Sequence, residues 1–187
     1  MNNYKPPFQI TEKMTILIGE ISEEIGRMSI FQEKISNPHL RRENRIKTIH
    51  SSLAIEHNSL SLEQVTAILD GKRVLGNPNE IKEVKNAYEA YELLTKLNPF
   101  SVKDFLNTYR ILVNLDNKNL VQNFSKYLEE LFSWLKKSKL NILIKSCILN
   151  YEIAKMSHFE DGRMGRLWQI LILSKWKSFF AWIPLEI

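Results

Sequence analysis

The chain of 187 residues holds one cysteine, Cys147, and only 6 glycines and 6 prolines. A single thiol cannot close an internal disulfide, so no disulfide framework supports this fold and a reducing compartment is the expected setting. Within "IKSCILNYE" that cysteine reads as core filler. Long apolar runs are also missing. Gln, Ser or Lys breaks each of them well short of the roughly 18 residues that a membrane-crossing helix needs. The opening "MNNYKPPFQI" lacks the basic and then apolar order of a secretory leader. The protein is therefore expected to be soluble and cytoplasmic. No second histidine or cysteine stands at a zinc-ligand spacing, and no RNA-binding motif occurs. Positive charge exceeds negative only modestly, 26 residues against 21 for a net charge of +5. The excess favours anionic ligands weakly. Its one dense run, "HLRRENRIK", reads as the solvated face of a helix, which argues against nucleic acid as a partner.

What the sequence does have is helical periodicity, with no alternating strand pattern to compete, so the expected class is all-α. Met14, Leu17, Ile21, Ile25 and Met28 step by three and four, and predict one long amphipathic helix ending before Pro38. Ile46, Ile49 and Leu53 mark a second. Ser61 and Gln64 form a capping-box signature for a short helix closed by Gly71, and Pro78 suits the first turn of the next. That helix uses Ile81, Val84, Tyr88, Tyr91 and Leu94. Ser101 opens another, lined by Phe105, Tyr109 and Leu112. Phe124, Tyr127, Leu128, Leu131 and Leu135 follow, then Leu143, Cys147 and Tyr151, then an apolar C-terminal helix. Short loops between helix pairs predict a compact bundle. No internal repeat or linker interrupts it.

The C-terminal helix is preceded by "SHFEDGRMGR". A helix N-terminus offers unpaired N–H groups and positive partial charge, which suit phosphate, and Gly162 allows close approach to the backbone. Arg163 and Arg166, three apart, share neighbouring positions and could grip phosphate oxygens from one side. Asp161 could hold a magnesium ion bridging those oxygens. His158 could act as a general base near neutral pH. The same residues also read more plainly: Asp161 as an N-cap, Gly162 as a loop glycine, His158 as a loop residue without a task.

A second stretch, "SSLAIEHNSLSLEQVTAILDG", decides between these readings. With "EELFSWLKKS", "LIKSCILNYE" and "DGRMGRLWQILILSKWK" it resembles the Fic family, in the class carrying an N-terminal inhibitory helix, from about residue 40 to the C-terminus. The resemblance implies an all-α, Fic-type helical bundle forming a single domain over 1–187. Helices of 1–75 would include the inhibitory one, and 76–187 would form the Fic core. It implies a protein adenylyltransferase that moves AMP from ATP, with Mg2+, to a Ser, Thr or Tyr hydroxyl of a target protein, with self-modification or a homodimer as possible partner modes. By the same resemblance His158 is the catalytic base and Asp161 the magnesium ligand. Gly162, Arg163 and Arg166 would bind the phosphates, and Phe159 would anchor the loop. Ser52, Glu56 and Asn58 match the inhibitory motif, with His57 in place of its small residue. Glu56 is then expected to pair with Arg166 and keep the γ-phosphate out of its productive position, two anions competing for one guanidinium.

The sequence departs from the family pattern, His-Pro-Phe-x-Asp/Glu-Gly-Asn-Gly-Arg-x-x-Arg, in three residues. The proline after His158 is absent, and so is the Asn-Gly pair between Gly162 and Arg163. Two residues fewer remove up to about 7 Å of extended chain, against a catalytic tolerance of about 0.5 Å, so His158 is not expected to keep the family geometry. Only "LDNKNLVQN" stands where relatives insert a β-hairpin flap. These gaps support an alternative, a degenerate and catalytically inactive Fic-fold binding or regulatory protein.

Overall fold

The computed structural model describes residues 4–30, 37–113, 118–156 and 162–186, the side chains of residues 30 and 118–124 excepted. Eight α-helices account for nearly all regular structure among these residues, and no strand occurs in them, as the periodicity predicts. They are α1 (Glu12–Ile30), α2 (Pro38–Ile55), α3 (Leu62–Leu69), α4 (Pro78–Glu92), α5 (Val102–Val113), α6 (Lys118–Lys137), α7 (Ile142–Ala154) and α8 (Arg163–Trp176). A 3-10 turn, Ser178–Trp182, follows. No helix among the described residues is long and apolar enough to cross a membrane.

Local chemistry sets the helix boundaries. Pro38 and Pro78 each sit in a first turn behind an asparagine N-cap, Asn37 and Asn77, whose side chains accept from the N–H two residues on. There a missing proline N–H costs nothing. Ser61 and Gln64 close the expected capping box of α3, and Gly71 takes the left-handed turn after it. Helix α2 ends in a Schellman motif. The His57 N–H donates to the Ala54 carbonyl and the Asn58 N–H to the Leu53 carbonyl, at 3.1 Å each, with His57 at φ 66° where glycine is usual. His57→Gly is expected to stabilise the chain by up to about 1 kcal/mol, the balance of relieved left-handed strain against glycine's larger entropy loss. Thermal unfolding should then rise by about 2–4 °C; a lower midpoint would show that His57 makes a compensating contact.

Helix α8 is the centre of the core. Met164, Leu167, Trp168, Ile170, Leu171, Ile172 and Leu173 are all buried. Trp168 meets Phe105 of α5 edge-on with ring centroids 4.9 Å apart, and Phe105 meets Phe132 of α6 at 6.1 Å. Helix α7 packs along α8 so closely that a Cβ on Gly165 would lie 2.3 Å from the Asn150 side-chain oxygen, which is why that position is glycine.

Two expectations about α7 are overturned. Cys147 is exposed, not core filler, and Tyr151 is 61% exposed. The buried face is instead Ile144, Ser146, Ile148, Leu149, Glu152 and Ile153. Apolar residues occur all round this helix, and Ser146 and Glu152 break the run on the side that faces inward, so the 143–147–151 step looked the better stripe. Glu152, 2% exposed, is satisfied by two phenols: Tyr4 donates to it at 2.6 Å and Tyr127 donates to the same oxygen. Burial and this carboxylate push the Tyr127 phenol up to about 12. The contact ties the N-terminal segment to α6 and α7. In α1 the predicted stripe forms, yet Leu17 and Ile21 remain 42% exposed and only Ile25 joins the core.

Candidate functional site

Ser52 and Glu56 lie four residues apart, hence one above the other on α2, and this face meets the start of α8. Arg166, one turn into α8, reaches both. Its Nε donates to the Ser52 hydroxyl at 2.9 Å, and one terminal nitrogen donates to the Ser52 carbonyl at 2.9 Å and to Glu56 Oε1 at 2.8 Å. The same Glu56 oxygen accepts the Gly162 N–H at 3.1 Å. Gly162 is the N-cap of α8 and has no side chain to cap with; the plain reading of Asp161 as N-cap falls outside the described residues. Glu56 supplies the missing acceptor from the far side of the sequence.

The electrostatics explain why an acid is stable there. At the C-terminal end of α2 a negative charge opposes its own helix dipole, but the positive end of α8 and the Arg166 guanidinium face it. The pair is largely shielded, with Arg166 14% and Glu56 25% exposed at the side chain. Nor is there room to spare: a Cβ on Gly162 would stand 2.5 Å from an Arg166 terminal nitrogen and 3.1 Å from Glu56 Oε1. A backbone N–H at a helix start together with a guanidinium makes an anion site. Here a carboxylate fills it, and one phosphate oxygen could use the same two donors only after Glu56 leaves.

Behind this contact lies a polar interior that sequence reasoning missed. Arg45, one exposed-surface candidate in "HLRRENRIK", is 3% exposed, its guanidinium held between the rings of Tyr91 and Trp182 at 5.0 and 4.9 Å. Arg41 lies 5.0 Å over the same Trp182 ring, and Arg42 pairs with Asp70 at 2.7 Å. That run is not simply a solvated face. Its three arginines Arg41, Arg42 and Arg45 are each engaged with other side chains of the protein. Burial lifts the Glu186 carboxyl above its usual range while Arg166 and Arg45 draw it down. Burial also raises the Tyr91 phenol. Heptad spacing from Arg45 to Ser52 was the available signal for the first of these residues.

Of the site residues predicted from sequence, Ser52, Glu56, Gly162 and Arg166 come together. Arg163 opens α8 and is half-buried. Asn58 is buried but turns to α4, donating to Glu83 at 2.9 Å. His158, Phe159 and Asp161 lie outside the described residues, as does the segment 114–117 where a flap would begin. No group of three or more potential metal ligands occurs among the described residues, so the magnesium expectation rests on Asp161.

Over 98% of its length the chain is similar to the crystal structure of a Fic family protein from Desulfovibrio desulfuricans G20, at 40% identity and a TM-score of 0.88. It spans 64% of that protein's chain. No family model matches the sequence, and no curated protein does.

Proposed function

The chain belongs to the Fic family, and from that membership we propose that it is an adenylyltransferase, active in the cytoplasm, whose own Glu56 restrains it. The observation that carries the proposal is the Glu56 carboxylate seated on Arg166 and the Gly162 N–H, at 2.8 and 3.1 Å. These are the donors that a nucleotide phosphate would need.

In the proposed reaction a target Ser, Thr or Tyr oxygen attacks the α-phosphorus of ATP. The new ester holds AMP, and pyrophosphate leaves. Arg166, Arg163 and the Gly162 N–H hold the phosphates and offset charge that builds on them. His158 takes the hydroxyl proton. Asp161 would hold magnesium, which supplies further charge neutralisation across the phosphates when bound. Ser52 keeps the Arg166 fork in plane, through contacts that do not involve Glu56. Removing the acid therefore leaves a positioned arginine, not a loose one.

The missing Asn-Gly pair favours a second reading, a Fic-fold binding protein that no longer transfers AMP. Labelled ATP, with the chain or its Glu56→Gly variant in cell lysate, separates them. Label on a protein after the Glu56→Gly change supports the transferase. No label from either form, with ATP still bound, supports the binding protein.

A further inference from the structure

Glu56 is the C-cap residue of α2, so the position of its carboxylate depends on how the chain leaves that helix. The exit is pinned to α4 by two acids. Ser59 donates its N–H at 2.7 Å and its hydroxyl at 3.0 Å to the two carboxylate oxygens of Glu80. Asn58, 8% exposed, donates to Glu83 Oε2 at 2.9 Å and to the Glu80 carbonyl at 3.3 Å, while its own oxygen accepts the Leu60 N–H at 3.2 Å. Both acids stand in the opening turns of α4, where the helix dipole favours negative charge. Between this anchorage and Glu56 lies His57 alone, in the left-handed conformation that an L side chain adopts at a cost.

Resting on the inhibitory reading above, we infer that Glu80 and Glu83 are positioning residues for Glu56, a latch on residues 58–59 that keeps the last turn of α2 wound and the Glu56 carboxylate on Gly162 and Arg166. The bonds to the carboxylates are directional and charge-assisted, and they act on Asn58, which completes the Schellman turn, and on Ser59 next to it. When they are lost, that turn keeps its strained residue and loses its anchor, so it unwinds first. Glu56 is carried away with it, while Ser52, a full turn earlier, stays to hold Arg166. The latch thus separates release of the acid from loss of the arginine.

Four variants test this: Glu80→Ala, the milder Ser59→Ala, Glu56→Gly, and Glu80→Ala combined with Glu56→Gly. Exchange of the Gly162 amide is followed by NMR without nucleotide, and magnesium-ATP affinity by calorimetry. Both latch variants should speed Gly162 exchange and tighten ATP by about 3–10-fold, the scale of one partly exposed ionic contact. In the Glu56→Gly background Glu80→Ala should add nothing. Unchanged Gly162 exchange in both latch variants overturns the latch, and so does a Glu80 effect that persists without Glu56, which would make its role general stability. Ser59 is exposed, so its variant keeps the test open if Glu80→Ala fails to fold. Faster Gly162 exchange with no ATP effect from any variant, Glu56→Gly included, upholds the latch and sinks the phosphate-exclusion reading instead.

Discussion

Glu56→Gly is expected to bind magnesium-ATP about 10 to 100 times more tightly than the parent chain. On the proposed competition, a phosphate must in the parent displace an intramolecular carboxylate that accepts from Arg166 at 2.8 Å and from Gly162 at 3.1 Å. A hydrogen bond to a charged group is worth about 1.5–3 kcal/mol net, and the partial exposure of this pair places it toward the lower end. That difference is a factor of about 10 to 100 in affinity, because only the fraction of molecules with Glu56 withdrawn can bind. Glu56→Gln should fall between, since the amide oxygen still accepts from Gly162 but carries no charge. Arg166→Ala should abolish the gain, as both anions need that guanidinium. Calorimetric titration measures all three. Equal affinity for the parent and Glu56→Gly would falsify the competition.

Much of this site was legible in the sequence because spacing on a helix translates directly into a shared face. Ser52 and Glu56 are four apart and do meet one partner, and Gly162 with Arg166 are four apart and bracket the same carboxylate. The pairing of α2 with α8 was not readable from periodicity; it came from the family resemblance, since nothing local joins residues 110 apart. What escaped were contacts whose residue types mislead. Glu80 looks like an ordinary first-turn acid and Glu83 like a helix-surface acid one turn on, Arg45 like a surface cation, and Glu152 like the outward side of α7. Each is held by partners far away in sequence: Ser59 and Asn58, Tyr91 and Trp182, Tyr4 and Tyr127. Burial of such groups is tolerable only because those partners exist, and a single sequence read locally cannot supply them. The same blindness moved the α7 stripe by one residue and put Cys147 inside.

The other large effect falls on the helix that carries the site. Trp168 is fully buried two residues beyond Arg166, its indole N–H donating to the Pro99 carbonyl at 3.0 Å and its ring set against Phe105. Trp168→Ala removes that contact, leaves a cavity between α8 and α5, and orphans a buried carbonyl. Large-to-small changes of this kind cost about 3–5 kcal/mol, a large part of the roughly 5–15 kcal/mol that holds a domain folded. At about 2–4 °C for each kcal/mol, the midpoint of thermal unfolding should fall by about 6–20 °C. Trp168→Phe keeps most of the packing and loses the donor, so its cost should be less than half as great. The functional consequence is specific: Arg166 is fixed from above by Ser52 and from below by the α8 backbone that Trp168 anchors. In a Glu56→Gly background Trp168→Phe should therefore keep most of the gained ATP affinity while lowering stability. If it instead erased the gain without unfolding the chain, Ser52 would not be sufficient to position the guanidinium, and the anchoring of α8 would have to be counted as part of the phosphate site.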